Sequence, residues 1–119
     1  MAVSAADAIS TSVERRDGIT VLLVDGVVDR ATSPPLEELL TELIDEHPDA
    51  LIIDLTAVSF LASVGLRILA ESHERMGGTG KFAVVASGPV TARPIQLTKL
   101  DEFLALYPTV DDAVTALRG

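Results

Sequence analysis

Few residues in this sequence have the types and spacing for chemistry. Ser63 is the first of them. It lies in the run Asp54-Leu55-Thr56-Ala57-Val58-Ser59-Phe60-Leu61-Ala62-Ser63-Val64-Gly65-Leu66, where an apolar stretch gives way to helical spacing. A serine there is a good helix N-cap, since its side-chain oxygen can accept an N–H from the first turn. As a catalytic nucleophile it fits poorly. Ala-Ser-Val-Gly is not the Gly-x-Ser-x-Gly elbow, and His47 and His73 are the only histidines available as a base. Asp29 and Asp54 offer carboxylates, but aspartates at strand ends commonly cap turns. No nucleophile, base and orienting group can be assembled, so no enzymatic activity is expected.

Metal and cofactor chemistry finds equally little. There is no cysteine, which removes disulfides, thiolate metal sites and cysteine nucleophiles together. His47 and His73 lack metal-ligand spacing, and each is expected on a solvated helix surface. Gly77-Gly78-Thr79-Gly80 follows a helical pattern and precedes a strand, the reverse of a nucleotide-binding loop, and reads as a helix stop. No metal and no cofactor is expected.

The elements that must position Ser63 can be read from periodicity. Residues 1–7 are small and aperiodic, a flexible tail; residues 8–119 read as one domain. Ile9 to Arg15 alternates like a half-buried strand, Asp17-Gly18 marks a hairpin turn, and Ile19 to Val24 is an apolar run typical of a strand covered on both faces. Ser33, as N-cap before Pro34-Pro35, opens a helix along Leu36, Leu39, Leu40, Leu43 and Ile44, with Glu37 and Glu38 in its first turn and Pro48 beyond its end. Leu51 to Leu55 is a short buried strand, followed by a turn through Thr56 to Phe60. A helix then runs from Ser63 to Gly77-Gly78. Phe82 to Ala86 is a strand, Pro89 to Leu97 a weaker helix containing Pro94, and Leu104 to Tyr107 an edge strand. Thr109 with Asp112 resembles a capping box that opens a last helix through Val110, Ala113, Val114 and Leu117. The order β-β-α-β-α-β-α-β-α predicts an α/β fold with a mixed, mostly parallel sheet.

Composition narrows the partners. Aromatic residues make up 3% of the 119 residues, so the core must be aliphatic. A formal charge of −9 with no basic run argues against direct contact with nucleic acid, which needs clustered Lys and Arg. Proteins are the expected partners. No segment approaches the ~20 apolar residues of a membrane span, and the N-terminus lacks a signal-peptide pattern, so a cytoplasmic chain with no membrane attachment is expected.

The run from Asp54 to Leu66 resembles the signature of the STAS domain family, the sulfate-transporter and anti-sigma factor antagonist domain. In that family a strand ending in Asp-Leu leads through an apolar turn to a serine that opens a helix, followed by Gly-Leu. Gly26-Val27-Val28-Asp29 resembles the Gly-Glu-Leu-Asp turn before the family's first helix. Leu61-Ala62-Ser63-Val64-Gly65-Leu66-Arg67-Ile68-Leu69 and Thr91-Ala92-Arg93-Pro94-Ile95 are similar to the mycobacterial antagonists that regulate sigma factor F. The resemblance implies the STAS fold and a partner switch in stress-responsive transcription regulation. The unphosphorylated antagonist would bind an anti-sigma factor, a histidine-kinase-like ATPase with serine kinase activity, and free the sigma factor. Phosphorylation of Ser63 would release that partner, and a PP2C-type phosphatase would restore binding.

By the same resemblance, Asp29, Arg30, Ala62, Ser63, Val64, Gly65 and Arg67 form the partner-binding surface. Asp29 is equally suited to a helix-entry turn, and Gly65 to close helix–sheet packing. Ala62 stands where many family members carry Asp. Its presence keeps open a scaffold or sensor module in a stress-signalling complex that needs no phosphate. A small-ligand binding protein using the surface between Asp29 and Ser63 is the alternative from another class.

Overall fold

The computed structural model describes residues 8–77 and 80–118. The expected tail 1–7 and part of the glycine-rich stretch, Gly78 and Thr79, lie outside the described residues.

Strands β1 (Ile9–Arg16) and β2 (Ile19–Val28) form the antiparallel hairpin that Asp17-Gly18 announces. Both turn residues have positive φ, 53° and 86°, the backbone a tight hairpin turn requires. Helix α1 (Ser33–Asp45), β3 (Ala50–Leu61), α2 (Ser63–Arg75), β4 (Phe82–Val85), α3 (Ala92–Leu97), a 3-10 turn (Leu100–Glu102), β5 (Ala105–Tyr107) and α4 (Val110–Arg118) follow. The sheet order is β1-β2-β3-β4-β5, parallel from β2 onward. Apart from the 3-10 turn, this is the order the periodicity predicts.

Strands added always to the same side by right-handed crossovers leave their connecting helices on one face. Leu36, Leu40, Leu43 and Ile44 of α1, Ile68 and Leu69 of α2, and Ala92 and Ile95 of α3 accordingly share one core with Leu22, Val24, Leu51, Ile53 and Val84. Among the described residues, the opposite face is covered by α4 alone. Ala113 and Val114 pack there on Ile19, Val21, Ala50, Ile52, Ala83 and Val85. Covering on both sides explains the unbroken apolar runs of β2, β3 and β4.

Several expectations are corrected by the structure. Strand β3 does not end at Leu55; the expected turn Thr56–Phe60 is strand, and β2 likewise runs on to Val28. Alternation fails there because β3 carries two bulges. Leu55 and Thr56 together oppose Val24, and Ser59 is an extra residue between the pairs Gly26–Val58 and Val27–Phe60. Inward residues therefore fall at Ile53, Leu55, Val58 and Leu61 instead of at every second position. Ser33 is not the cap of α1. Thr32 precedes the helix, and Ser33 lies inside it with its Oγ turned back on the Arg30 carbonyl at 3.4 Å. Glu37 and Glu38 fall beyond the first turn. Helix α3 begins at Ala92 instead of Pro89, after a turn through Gly88 and Thr91. His47 is exposed, but in the left-handed turn after α1 (φ 54°) and not on a helix. His73 is half-buried, its ring 6.0 Å from Phe82 and 6.1 Å from Phe103, with Nδ1 buried and unpartnered among the described residues. Thr109 caps α4 as expected, its Oγ1 accepting the Asp112 N–H at 3.1 Å.

Candidate functional site

The extended β2–β3 ribbon delivers the chain to one end of the molecule, where α1 and α2 begin. Its shape depends on three short-range devices. Gly26 has φ 104°, and a Cβ there would run into the Ala8 carbonyl oxygen, so the first residue of the Gly26-Val27-Val28-Asp29 motif has to be glycine. Asp54, 7% exposed, uses Oδ1 to accept the Thr56 N–H at 2.9 Å and the Thr56 hydroxyl at 2.8 Å, which satisfies a backbone donor that the first bulge takes out of the ladder. At the second bulge the Ser59 hydroxyl donates to the Gly26 carbonyl at 3.2 Å.

Asp29 closes the turn into α1. Its Oδ1 accepts the N–H groups of Ala31 at 2.9 Å and Thr32 at 3.0 Å, and its carbonyl accepts the Ser33 N–H at 2.9 Å. This is helix-capping geometry, one residue cluster upstream of α1 proper. The Thr32 hydroxyl accepts the Asp29 N–H at 2.9 Å and donates to the Val27 carbonyl at 2.8 Å. The helix-entry role suggested for Asp29 is thus filled; its carboxylate is half-buried, and Arg30 beside it is exposed.

Ser63 sits across the ribbon end from this turn. The Ala62 N–H donates to the Val28 carbonyl at 2.9 Å, fixing the entry of α2 to the end of β2. Ala62, not Ser63, is the N-cap: it is extended (φ −83°, ψ 170°) and its carbonyl accepts the Gly65 N–H at 2.9 Å. Ser63 is the first residue of a 13-residue helix and is exposed, and its side chain makes no hydrogen bond among the described residues. The bland use of this serine is therefore the one the structure does not make. With alanine at the cap, the amides of Ser63 and Val64 have no partner inside the helix, and the positive end of the helix dipole faces outward at the hydroxyl.

The remaining residues divide by role. Val64 is half-buried at the rim. Gly65 is buried, and a Cβ on it would collide with Leu61 Cδ1 and press on Val28 Cγ1 at 3.0 Å. It lets α2 lie close on the sheet and does not itself present a surface. Arg67 is exposed one turn after Ser63 and spans two helices, with 2.9 Å bonds to Glu71 of α2 and Glu37 of α1. The hydrogen bond to Glu71, then that to Glu37, raises its pKa above the ordinary guanidinium value. Phe60, which sequence reasoning passed over as turn, is 54% exposed beside this group. Its signal was available only through the bulges, which turn Leu61 in and Phe60 out. Two depressions of about 540 and 560 Å³ lie elsewhere: one against Ser87, Arg93, Gln96 and Tyr107, the other against His47, Arg75 and Lys81. No helix among the described residues is long and apolar enough to cross a membrane.

Comparison with known proteins matches this arrangement to a family. Residues 10–113 fit the model of the STAS domain. The chain is 47% identical over 117 residues to the anti-sigma-F factor antagonist RsfB of Mycobacterium tuberculosis, covering 98% of this chain and 96% of that protein. A crystal structure of an anti-sigma factor antagonist from Mycobacterium paratuberculosis superimposes with a TM-score of 0.91 at 51% identity, over 98% of this chain and 100% of the other. The antagonist SpoIIAA in its unphosphorylated form shares the fold, with a TM-score of 0.74 at 15% identity over 92% of this chain and 97% of its own. With its five-stranded mixed sheet, the bulged ribbon and the uncapped serine at the head of α2, this chain belongs to the STAS domain family.

Proposed function

We propose that this chain is a cytoplasmic, non-enzymatic anti-sigma factor antagonist whose affinity for its partner is switched at Ser63. Unphosphorylated, it binds an anti-sigma factor through the end of the molecule formed by Ser63, Ala62, Val64, Arg67, Asp29 and Arg30, and the sigma factor goes free. The anti-sigma factor's serine kinase activity phosphorylates Ser63 and releases the complex; a PP2C-type phosphatase resets it. The observation that carries this is the Ser63 hydroxyl, exposed on the first residue of α2 and unused as a cap. The name of the mycobacterial relative, an anti-sigma-F factor antagonist, supports the choice of partner. SpoIIAA, of the same fold, has been solved in a phosphorylated form.

The physics of the switch follows from that position. A phosphate adds about −1.5 to −2 charges at neutral pH. At the head of α2 those charges meet open amides and the positive dipole end, so the modification leaves the domain folded. Its effect falls on the complex. A surface matched to a small neutral hydroxyl must instead desolvate a dianion, and an unpaired buried charge costs several kcal/mol. At ~1.4 kcal/mol per tenfold, affinity falls by about a hundredfold or more. Gly65 contributes by setting how closely α2 sits on the sheet, not by touching the partner.

Titration of the wild-type chain, Ser63→Ala, Ser63→Glu and the phosphorylated protein against the anti-sigma-F factor of Mycobacterium tuberculosis tests this. Ser63→Ala should bind like wild type; Ser63→Glu and the phosphoprotein should bind about a hundredfold more weakly. Equal affinity of all four species refutes the switch. Incubation with the partner and ATP should add one phosphate by intact mass, and none to Ser63→Ala.

A further inference from the structure

We infer that Phe60 is the apolar anchor of the surface that docks the anti-sigma factor, so that the interface reaches past the head of α2 onto the sheet face that α4 leaves bare. This rests on the reading of the chain as an anti-sigma factor antagonist and adds the residue that carries the affinity.

The bulge at Ser59 takes up an extra residue without turning Phe60 inward. It resets the alternation so that Leu61 completes the core while its neighbour points to the opposite face, paired in register with half-buried Val27. On that face α4 packs over Ile19, Val21, Ala50, Ile52, Ala83 and Val85, toward the strand ends remote from Ser63. Among the described residues Phe60 stays 54% exposed. Three Cα steps separate it from Ser63, so the two lie within about 11 Å.

The surroundings are apolar in a chain that is otherwise strongly acidic. Val27, Phe60, Ala62 and Val64 present exposed or half-buried carbon near the Ser63 hydroxyl. Alanine at position 62 keeps a carboxylate out of this strip. Aromatic side chains that fill a partner's pocket at the centre of an interface contribute most of its energy, and rim contacts around them exclude water. An apolar surround also makes the switch effective. A dianion that arrives on Ser63 would have to be desolvated against this carbon in the complex. Of the other exposed large apolar residues, Phe103 and Leu97 lie by α3 and the 3-10 turn, with Phe103 against the His73 ring. Phe103, 53% exposed, is a matched control: the same residue type, the same exposure, a different place.

The test is titration of wild type, Phe60→Ala and Phe103→Ala with the same anti-sigma-F factor, with urea unfolding of each variant alongside. Phe60→Ala should weaken binding about tenfold or more, and Phe103→Ala less than about twofold. Hydrogen exchange of the wild-type complex, which needs no variant, should show new protection over residues 58–62 and none over 97–103. Wild-type affinity in Phe60→Ala, or unchanged exchange over 58–62, overturns the inference while leaving the antagonist function standing. Failure of the wild-type chain to bind at all overturns the functional reading itself.

Discussion

Ser63 and Arg67 stand four residues apart on α2, hence on one face of the helix, with the acidic position N-terminal once phosphate is added. That order also suits the dipole. Arg67 already bridges Glu37 and Glu71, so a phosphate competes with two carboxylates for one guanidinium. Because a nearby cation favours the dianion, Arg67 lowers the second pKa of the phosphoserine, and Arg67→Gln raises it. The direction of that change is readable by phosphorus NMR titration of the phosphorylated protein. An unchanged midpoint would show that Arg67 stays with its glutamates. Exposed ion pairs are screened by solvent, so the same substitution should change stability little. Asp29 is a different case: two N–H groups depend on its Oδ1, and its carboxylate is committed to the turn whatever else it touches.

At the scale of the element, α2 is a helix left uncapped. Alanine at 62 has the extended backbone of an N-cap but no oxygen to offer the open amides of the first turn. Ala62→Asp supplies one. It should raise stability by about 1 kcal/mol in urea unfolding, from the cap and the dipole together. The same carboxylate would sit beside the phosphoserine and would charge the apolar strip around Phe60, so the gain in stability should come with weaker partner binding. A stability equal to wild type would mean that the cap position cannot direct its side chain to the helix.

For the molecule as a whole, a net charge of −9 should speed encounter with a basic partner surface and be screened by salt. The association rate constant should therefore fall roughly tenfold from low to high salt, while the dissociation rate, set by local contacts at Ser63 and Phe60, changes little. Stopped-flow mixing separates the two; a salt effect confined to dissociation would contradict it. Much of this architecture was legible in the sequence, because strands buried on both faces and helices with one apolar stripe carry strong periodic signals. The order of elements, the hairpin at Asp17-Gly18 and the position of Ser63 at the head of a helix could all be read from it. What could not be read was any feature that depends on breaking a period. The two bulges made six residues of strand, Thr56–Leu61, look largely like a turn, and so hid the exposure of Phe60. The solvated surface expected for His73 failed for another reason: helical spacing fixes which residues share a face but not that Phe82 and Phe103 close over this one.

The surplus residue Ser59 has a further consequence. Without it, Val58, Phe60 and Leu61 would fall into simple alternation with the same sides facing in and out. Its presence therefore leaves the identity of the core untouched and changes only reach: it adds up to one residue's rise, about 3.3 Å, to the path that brings the chain to α2. Ser59 works as a spacer, setting how far the switch residue projects from the body of the protein, and that projection can be tuned by insertion or deletion at one position without redesigning what lies beneath.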